Sequence, residues 1–135
     1  MKEKIMEAFA QLGFNLTEVE NLGYAFSYEG INYLYLNSDD DEEFLNISVP
    51  GIYEVDEENA TTYLAVCEKI NSLRKYVKAY TFGDSLWIFY ERALIGDENL
   101  EEVIRHMILH LAAALVFAHD VKEKIENGDC DDNND

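Results

Sequence analysis

Two histidines on one predicted helix have a spacing that could serve a metal ion. His106 and His110 are four residues apart, so a helix would place both imidazoles on one face, where they could ligate zinc. A zinc site needs further ligands, and His119, nine residues after His110, does not align with the pair. The sequence has neither an HExxH pattern nor a cysteine cluster. We therefore predict that these histidines edge an apolar helix face and that the chain holds no metal ion.

A serine past the middle of the chain lies in a motif that could support ester hydrolysis. Gly83-Asp84-Ser85-Leu86 spells the signature of the GDSL hydrolases, in which the serine is the nucleophile. In those enzymes a late Asp-x-x-His supplies the base, whereas here His119-Asp120 has the wrong order and spacing. Gly, Asp and Ser are also the residues that a hairpin turn requires. The turn is the favoured interpretation and no catalytic residue is expected. A small ester hydrolase using Ser85 is an alternative.

Two acidic runs, at residues 39–43 and 129–135, could bind cations through their carboxylates. Neither run has the alternating ligands, central glycine and terminal glutamate of an EF-hand loop. We predict a solvated loop for the first run and an acidic, disordered tail for the second. The sequence also lacks the glycine-rich motifs that hold phosphates, so no cofactor is expected.

The charge balance restricts the class of partner. The chain of 135 residues has 28 acidic and 10 basic residues, for a formal net charge of −18. This charge repels nucleic acid phosphates and anionic lipid, and it favours basic partners. The acids could also be an ordinary solvated surface. They could instead serve recognition of a basic protein, or inhibition by mimicry of nucleic acid. We expect neither nucleic acid nor a membrane as a partner.

The cysteines and the apolar runs indicate a cellular compartment. Cys67 and Cys130 have no neighbouring cysteine at metal-binding spacing, so both are predicted to be free thiols in a reducing environment. The longest apolar run, residues 111–118, is far shorter than the ~18 residues that span a bilayer. A cytoplasmic location is expected.

Apolar residues at helical spacing predict three helices. The first contains Ile5 and ends at Gly13, and the second begins after an N-terminal cap at Asp56. The third begins after a cap at Asp97 and continues to Ile125.

Alternating apolar residues predict five strands. Three form an antiparallel meander, with a tight turn at Glu29-Gly30 and an end at Pro50-Gly51, and the other two are joined at Gly83-Asp84-Ser85. The five strands cover residues 24–28, 31–36, 45–49, 76–82 and 86–93. The order α-β-β-β-α-β-β-α predicts an α+β fold, a five-stranded antiparallel sheet with helices packed on it. The prediction is a single domain over residues 1–128.

This element order resembles a known architecture. Residues 71–92 read as a helix ending in Asn-Ser-Leu followed by paired strands ending in Tyr-Glu-Arg. With the size and acidity of the chain, this stretch resembles the type III secretion chaperone fold. It also resembles the YbjN-like bacterial proteins, which are regarded as candidate sensory transduction regulators. The resemblance implies a homodimer without enzymatic activity. The secretion chaperones hold an unfolded cargo segment against hydrophobic patches.

The leading hypothesis is a non-enzymatic protein-binding domain of chaperone-like or regulatory type. The last strand reads Leu-Trp-Ile-Phe-Tyr, so both of its faces are apolar, which suggests a central strand or one that faces a partner. The predicted partner contacts are Trp87 and Phe89 on this strand, with Tyr33 and Tyr35 on the meander. The alternative for all four is ordinary core. If Trp87 and Phe89 prove fully buried within one subunit, the assignment fails.

Overall fold

The computed structural model describes residues 1–36 and 44–128. This part of the chain contains three helices and six strands, which follow one another in this order: α1 (Lys2–Gln11), β1 (Thr17–Val19), β2 (Gly23–Tyr28), β3 (Ile31–Leu36), β4 (Phe44–Glu54), α2 (Ala60–Leu73), β5 (Val77–Phe82), β6 (Ser85–Ala93) and α3 (Leu100–Glu126). The predicted acidic loop at residues 39–43 and the predicted tail with Cys130 lie outside the described residues.

The strands form one antiparallel sheet in the order β1-β2-β3-β4-β6-β5. The α+β class and the meander are confirmed, but the prediction of five strands was wrong by one. The additional strand is β1, whose residues Thr17, Glu18 and Val19 are all exposed. Three exposed residues give no alternation of buried and exposed side chains, so the periodic pattern could not indicate this strand.

The predicted hairpin turns are present. Glu29 and Gly30 both have positive φ (52° and 82°), as a two-residue type I′ turn requires, and they connect β2 to β3. Gly83 has a φ of 67° in the turn between β5 and β6. The segment that resembles a hydrolase motif therefore forms a hairpin, and Ser85 begins the next strand.

Two predicted element boundaries were wrong. β4 does not end at Pro50-Gly51, because the strand continues to Glu54 through an irregularity in its pairing with β6. A bulge of this kind accommodates a residue that cannot donate to the ladder. Asp56 is not the N-terminal cap of the second helix, because Asn59 holds that position. The Asp56 carboxylate accepts hydrogen bonds from the backbone N–H groups of Glu58 and Asn59 and so forms a turn. The helix starts at Ala60.

The cap of the last helix also differs from its predicted position. Asn99, not Asp97, precedes α3, and the Asn99 side chain accepts a hydrogen bond from the backbone N–H of Glu102.

The three helices cover one face of the sheet, and the main core lies between the helices and that face. Strand residues that point to this face pack with buried residues of α1, α2 and α3. The strand residues in the main core are Phe26, Tyr33, Tyr35, Leu45, Ile47, Val49, Val77, Ala79, Leu86, Ile88 and Tyr90. A second, smaller cluster of Leu34, Trp87 and Phe89 contains no helical residue. This cluster lies on the helix-free face of the sheet.

Asn71, near the end of α2, closes part of the sheet edge formed by β5. Its side-chain amide donates to the carbonyl oxygen of Ala79 at 3.0 Å, and its carbonyl oxygen accepts from the backbone N–H of Ala79 at 2.7 Å. The carboxamide therefore occupies backbone groups that a neighbouring strand would use. An unpaired edge is a template for pairing with another chain, and this contact blocks that template at its centre.

Replacing Asn71 tests this contact. We expect Asn71→Ala to lower the free energy of unfolding by about 1–2 kcal/mol, because both backbone groups of Ala79 lose their partner. Urea denaturation followed by circular dichroism measures the change. Ser72→Ala, at the adjacent helical position, is the matched control and should change stability by less than about 0.5 kcal/mol. Equal effects of the two substitutions would contradict a specific role for the Asn71 carboxamide.

Candidate functional site

Four aromatic side chains cluster on the helix-free face of the sheet, on β5 and β6. Tyr80 lies opposite Trp87 in the strand pairing. The rings of Tyr80 and Phe89 stack with centroids 4.5 Å apart, and Phe82 meets Trp87 edge to face at 4.8 Å. Trp87 and Phe89 stack at 5.7 Å. These contact geometries are the ones that aromatic pairs prefer. We call Tyr80, Phe82, Trp87 and Phe89 the aromatic face.

The aromatic face has a buried floor and an exposed outer layer. Trp87 is 9% exposed and Phe89 is 3% exposed, so the two predicted contact residues on β6 are buried within the chain. Tyr80 and Phe82 are 44% and 45% exposed. A partner would therefore meet Tyr80 and Phe82 first. This burial within one subunit counts against direct contact through Trp87 and Phe89, and their contact role stays a prediction.

The surroundings of the aromatic face are mixed in character. Apolar side chains of Leu22, Ala25 and Leu36 pack against the second cluster. Lys78 and Glu91 form an exposed ion pair at 3.2 Å on the same face. An apolar surface with a charged margin is suited to binding an apolar segment.

Tyr33 and Tyr35 lie on the opposite face of the sheet from Trp87 and Phe89. Both tyrosines are buried in the main core, where Tyr33 stacks on Phe26 at 5.3 Å and Tyr35 packs on Phe9 at 5.5 Å. Burial raises the pKa of each hydroxyl to about 12. The structure thus brings together the two residues on β6, but not all four predicted contacts. A contact role for the tyrosines also stays a prediction.

The sequence reasoning missed Tyr80 and Phe82. The signal was present, because the residues of β5 alternate between the buried Val77 and Ala79 and the exposed aromatic positions. Because β6 was predicted to be a central strand, the alternation along β5 shows which of its side chains lie beside those of β6 on each face. Bulky aromatic residues on the outward side of its neighbour must lie over β6 side chains on the helix-free face.

Tyrosine side chains contact the histidines of α3 through hydrogen bonds and ring packing. The Tyr90 hydroxyl and His106 Nδ1 are 3.0 Å apart, and the rings of His106 and His110 are 4.4 Å apart. Tyr76 stacks parallel to Tyr90 and has a φ of 75°, a conformation that is strained for a bulky residue. Within the described ranges, no group of three or more His, Cys, Asp or Glu side chains could hold a metal ion.

The hydrolase alternative needs a histidine within hydrogen-bond reach of Ser85. His119 is instead hydrogen-bonded to the hydroxyl of Tyr53, and His106 to that of Tyr90. In residues 1–36 and 44–128, no hydrogen bond joins Ser85 to a histidine. The geometry around Ser85 is that of a hairpin strand.

Comparisons with known proteins identify solved structures with a similar architecture. No protein-family model and no curated protein matches the sequence. The solved structure of YbjN from E. coli, for which a role as a transcription regulator has been suggested, aligns with a TM-score of 0.67 at 15% identity. The alignment covers 89% of this chain and 92% of YbjN. The chain has a YbjN-like fold.

A second solved structure agrees with this result. An uncharacterized protein from Methanothermobacter thermautotrophicus aligns with a TM-score of 0.64 at 13% identity, covering 91% of this chain and 96% of that protein. The resemblance to YbjN-like proteins is confirmed at the level of the fold. At these identities the similarity concerns architecture and carries no residue-level function. None of the helices described here has the length and apolar character to cross a bilayer.

The environment of His110 predicts a pH dependence of stability. Burial, followed by the proximity of His106 and Arg74, lowers the pKa of His110 below its ordinary value of 6.5. The unfolded chain therefore binds a proton at this site at higher pH than the folded chain does. The contribution of this site to the free energy of unfolding therefore falls as the pH drops below about 6.5.

We expect the melting temperature of the wild type to fall more between about pH 7.5 and pH 5.5 than that of His110→Gln. Differential scanning calorimetry at the two pH values measures the difference. Carboxylates titrate in both proteins and cancel in the comparison. An equal pH dependence in the two proteins would show that His110 makes no contribution.

Proposed function

We propose that this chain is a non-enzymatic protein-binding domain of chaperone-like or regulatory type. Its aromatic face takes up an apolar segment of another protein that is flanked by basic residues. The mechanism is burial of the segment's apolar side chains on Tyr80 and Phe82, over the floor formed by Trp87 and Phe89.

The observation that carries the proposal is the exposed outer layer of the aromatic face. Tyr80 and Phe82 each expose almost half of their surface, although they lie beside a buried tryptophan and phenylalanine. In the described part of the chain, no helix packs on this cluster. Large aromatic side chains contribute most of the binding energy in many protein interfaces. A contiguous apolar surface of this kind is typical of an interaction site.

The net charge supports a basic partner over a second copy of the same chain. Two copies would each have a charge of −18, so their long-range interaction is repulsive. Basic residues flanking an apolar segment are attracted by the same charge. The homodimer that the resemblance implies is the competing use of this surface.

The blocked edge of β5 supports binding on the face instead of addition of a strand. The Asn71 carboxamide already occupies the N–H and C=O groups of Ala79. A partner strand would have to displace it before pairing with β5. Side-chain contacts on the aromatic face require no such displacement.

A regulatory role can be combined with this mechanism. YbjN has been suggested to regulate transcription. Because a charge of −18 repels DNA phosphates, we infer that any regulation by this chain proceeds through a protein. The proposal includes a reducing, cytoplasmic location, which is consistent with the free, buried thiol of Cys67.

Designed peptides test the proposed function. Three fluorescein-labelled peptides are compared: a Leu/Ile/Phe centre with lysine flanks, the same centre with glutamate flanks, and a serine centre with lysine flanks. We expect only the first to bind, because it alone satisfies both the apolar and the charge requirement. Anisotropy measures the affinity. Emission from Trp87, the one tryptophan in the chain, reports whether the aromatic face is covered.

Surface variants assign the binding to the aromatic face. We expect Tyr80→Ser/Phe82→Ser to weaken binding by at least about tenfold, as truncation of central aromatic contacts does. The matched control, Leu64→Ser/Leu73→Ser, removes two exposed apolar side chains of α2 and should leave the affinity unchanged.

Two results would contradict the proposal. One is equal binding by the two double variants. The other is Trp87 emission that changes with protein concentration in the absence of peptide, which would assign the aromatic face to a second copy of this chain.

A further inference from the structure

A cleft on the helix-bearing side of the sheet has the size of a small-molecule site. It lies between the end of α1, the β2–β3 turn and α3, and its volume is about 490 Å³. Binding clefts in proteins are usually about 300–1,000 Å³. Its apolar walls come from side chains of all three elements: Leu12, Phe14, Ile31, Ile108, Leu109 and Ala112.

Tyr33 lines this cleft and has a polar atom without a partner. The residue is 1% exposed, and no hydrogen-bond partner for its hydroxyl is present among the described residues. Leaving a buried hydroxyl unpaired is costly. Burial, with a smaller effect of the nearby Glu29, raises the pKa of Tyr33 to about 12, so the hydroxyl is a hydrogen-bond donor at neutral pH. A ligand with an acceptor group would satisfy it.

Arg105 supplies a second donor to the cleft. It lies on α3, and across the described segments its guanidinium takes part in no ion pair. An arginine has only donors, and its planar guanidinium matches a carboxylate. Arg105 is exposed, so its guanidinium is accessible to a ligand that enters the cleft.

We propose that the cleft binds a medium-chain aliphatic carboxylate. The carboxylate accepts hydrogen bonds from the Tyr33 hydroxyl and the Arg105 guanidinium, and the aliphatic chain lies along the apolar walls. Glu29 also lines the cleft and repels anions, which favours a head group with a single negative charge over a phosphate.

This site is separate from the aromatic face. Tyr33 points into the main core under the helices, whereas Trp87 belongs to the cluster on the other side of the sheet. The two binding activities can therefore fail independently, and Trp87 emission distinguishes them. A ligand in the cleft should leave that emission unchanged.

Calorimetric titration of the full chain with three ten-carbon probes tests the proposal. The probes are decanoate, 1-decanol and decylamine, each below its micellar concentration. We expect decanoate to bind at a one-to-one ratio, and at least about tenfold more tightly than the alcohol or the amine. No saturable decanoate binding, or tighter binding of decylamine, would overturn the proposal.

Two conservative variants assign the contacts. We expect Arg105→Gln to weaken decanoate binding by about tenfold or more, since hydrogen bonds between charged groups are the stronger class. Arg74→Gln, which removes the same charge from the end of α2, is the matched control and should bind as the wild type does.

Tyr33→Phe separates a ligand contact from a structural role. It should weaken decanoate binding severalfold without lowering the melting temperature of the unliganded protein, because the lost hydroxyl has no partner in residues 1–36 and 44–128. A lower melting temperature with unchanged affinity would assign the hydroxyl to the fold and overturn its role as a ligand contact. Decanoate binding that shifts Trp87 emission and is lost in Tyr80→Ser/Phe82→Ser would move the site to the aromatic face.

Discussion

The interior strand β6, which lies between β4 and β5, is apolar on both faces, and most of the architecture follows from this constraint. Leu86, Ile88 and Tyr90 point into the main core, while Trp87 and Phe89 point the other way. All five are buried. The three helices cover only one side of the sheet. The apolar surface on the other side is therefore covered by side chains of the sheet itself, which come from the adjacent strand β5 and from the more distant strands β3 and β2.

Within the aromatic face, the buried residues stabilise the fold and the exposed residues are available for binding. Full burial of a side chain as large as that of Trp87 or Phe89 contributes about 2–3 kcal/mol, so replacing either residue would destabilise the fold before it revealed anything about a partner. Tyr80 and Phe82 cover these two residues, yet almost half of each remains in solvent. The outer layer can therefore be changed with far less effect on the fold.

The sequence was informative about elements and less so about the surfaces that they form. The order of helices and the long strands could be predicted, since each has several turns or alternations of apolar residues. β1 could not, because Thr17–Val19 has no buried residue. The direction of the β3 side chains was equally hidden. Tyr33, Leu34 and Tyr35 are all large hydrophobic or aromatic residues and all are buried, so the sequence pattern of β3 cannot show which face carries the helices. Only the register between strands places Tyr33 and Tyr35 under the helices and Leu34 beside Trp87.

The two proposed ligands have opposite charges, one basic and one anionic, although the same acidic chain binds both. The net charge acts at long range and attracts a basic segment toward any part of the surface, so the aromatic face needs no nearby acid to favour such a partner. A carboxylate must instead overcome that field. It can do so only where donors lie within hydrogen-bond distance in a partly desolvated site, because electrostatic interactions are strengthened there and weakly screened. The cleft lined by the exposed Arg105 and by Tyr33, whose buried hydroxyl has no partner among the described residues, is such a place, and the sheet separates it from the aromatic face. Added salt should therefore weaken the attraction of the basic segment, since that interaction acts across solvent.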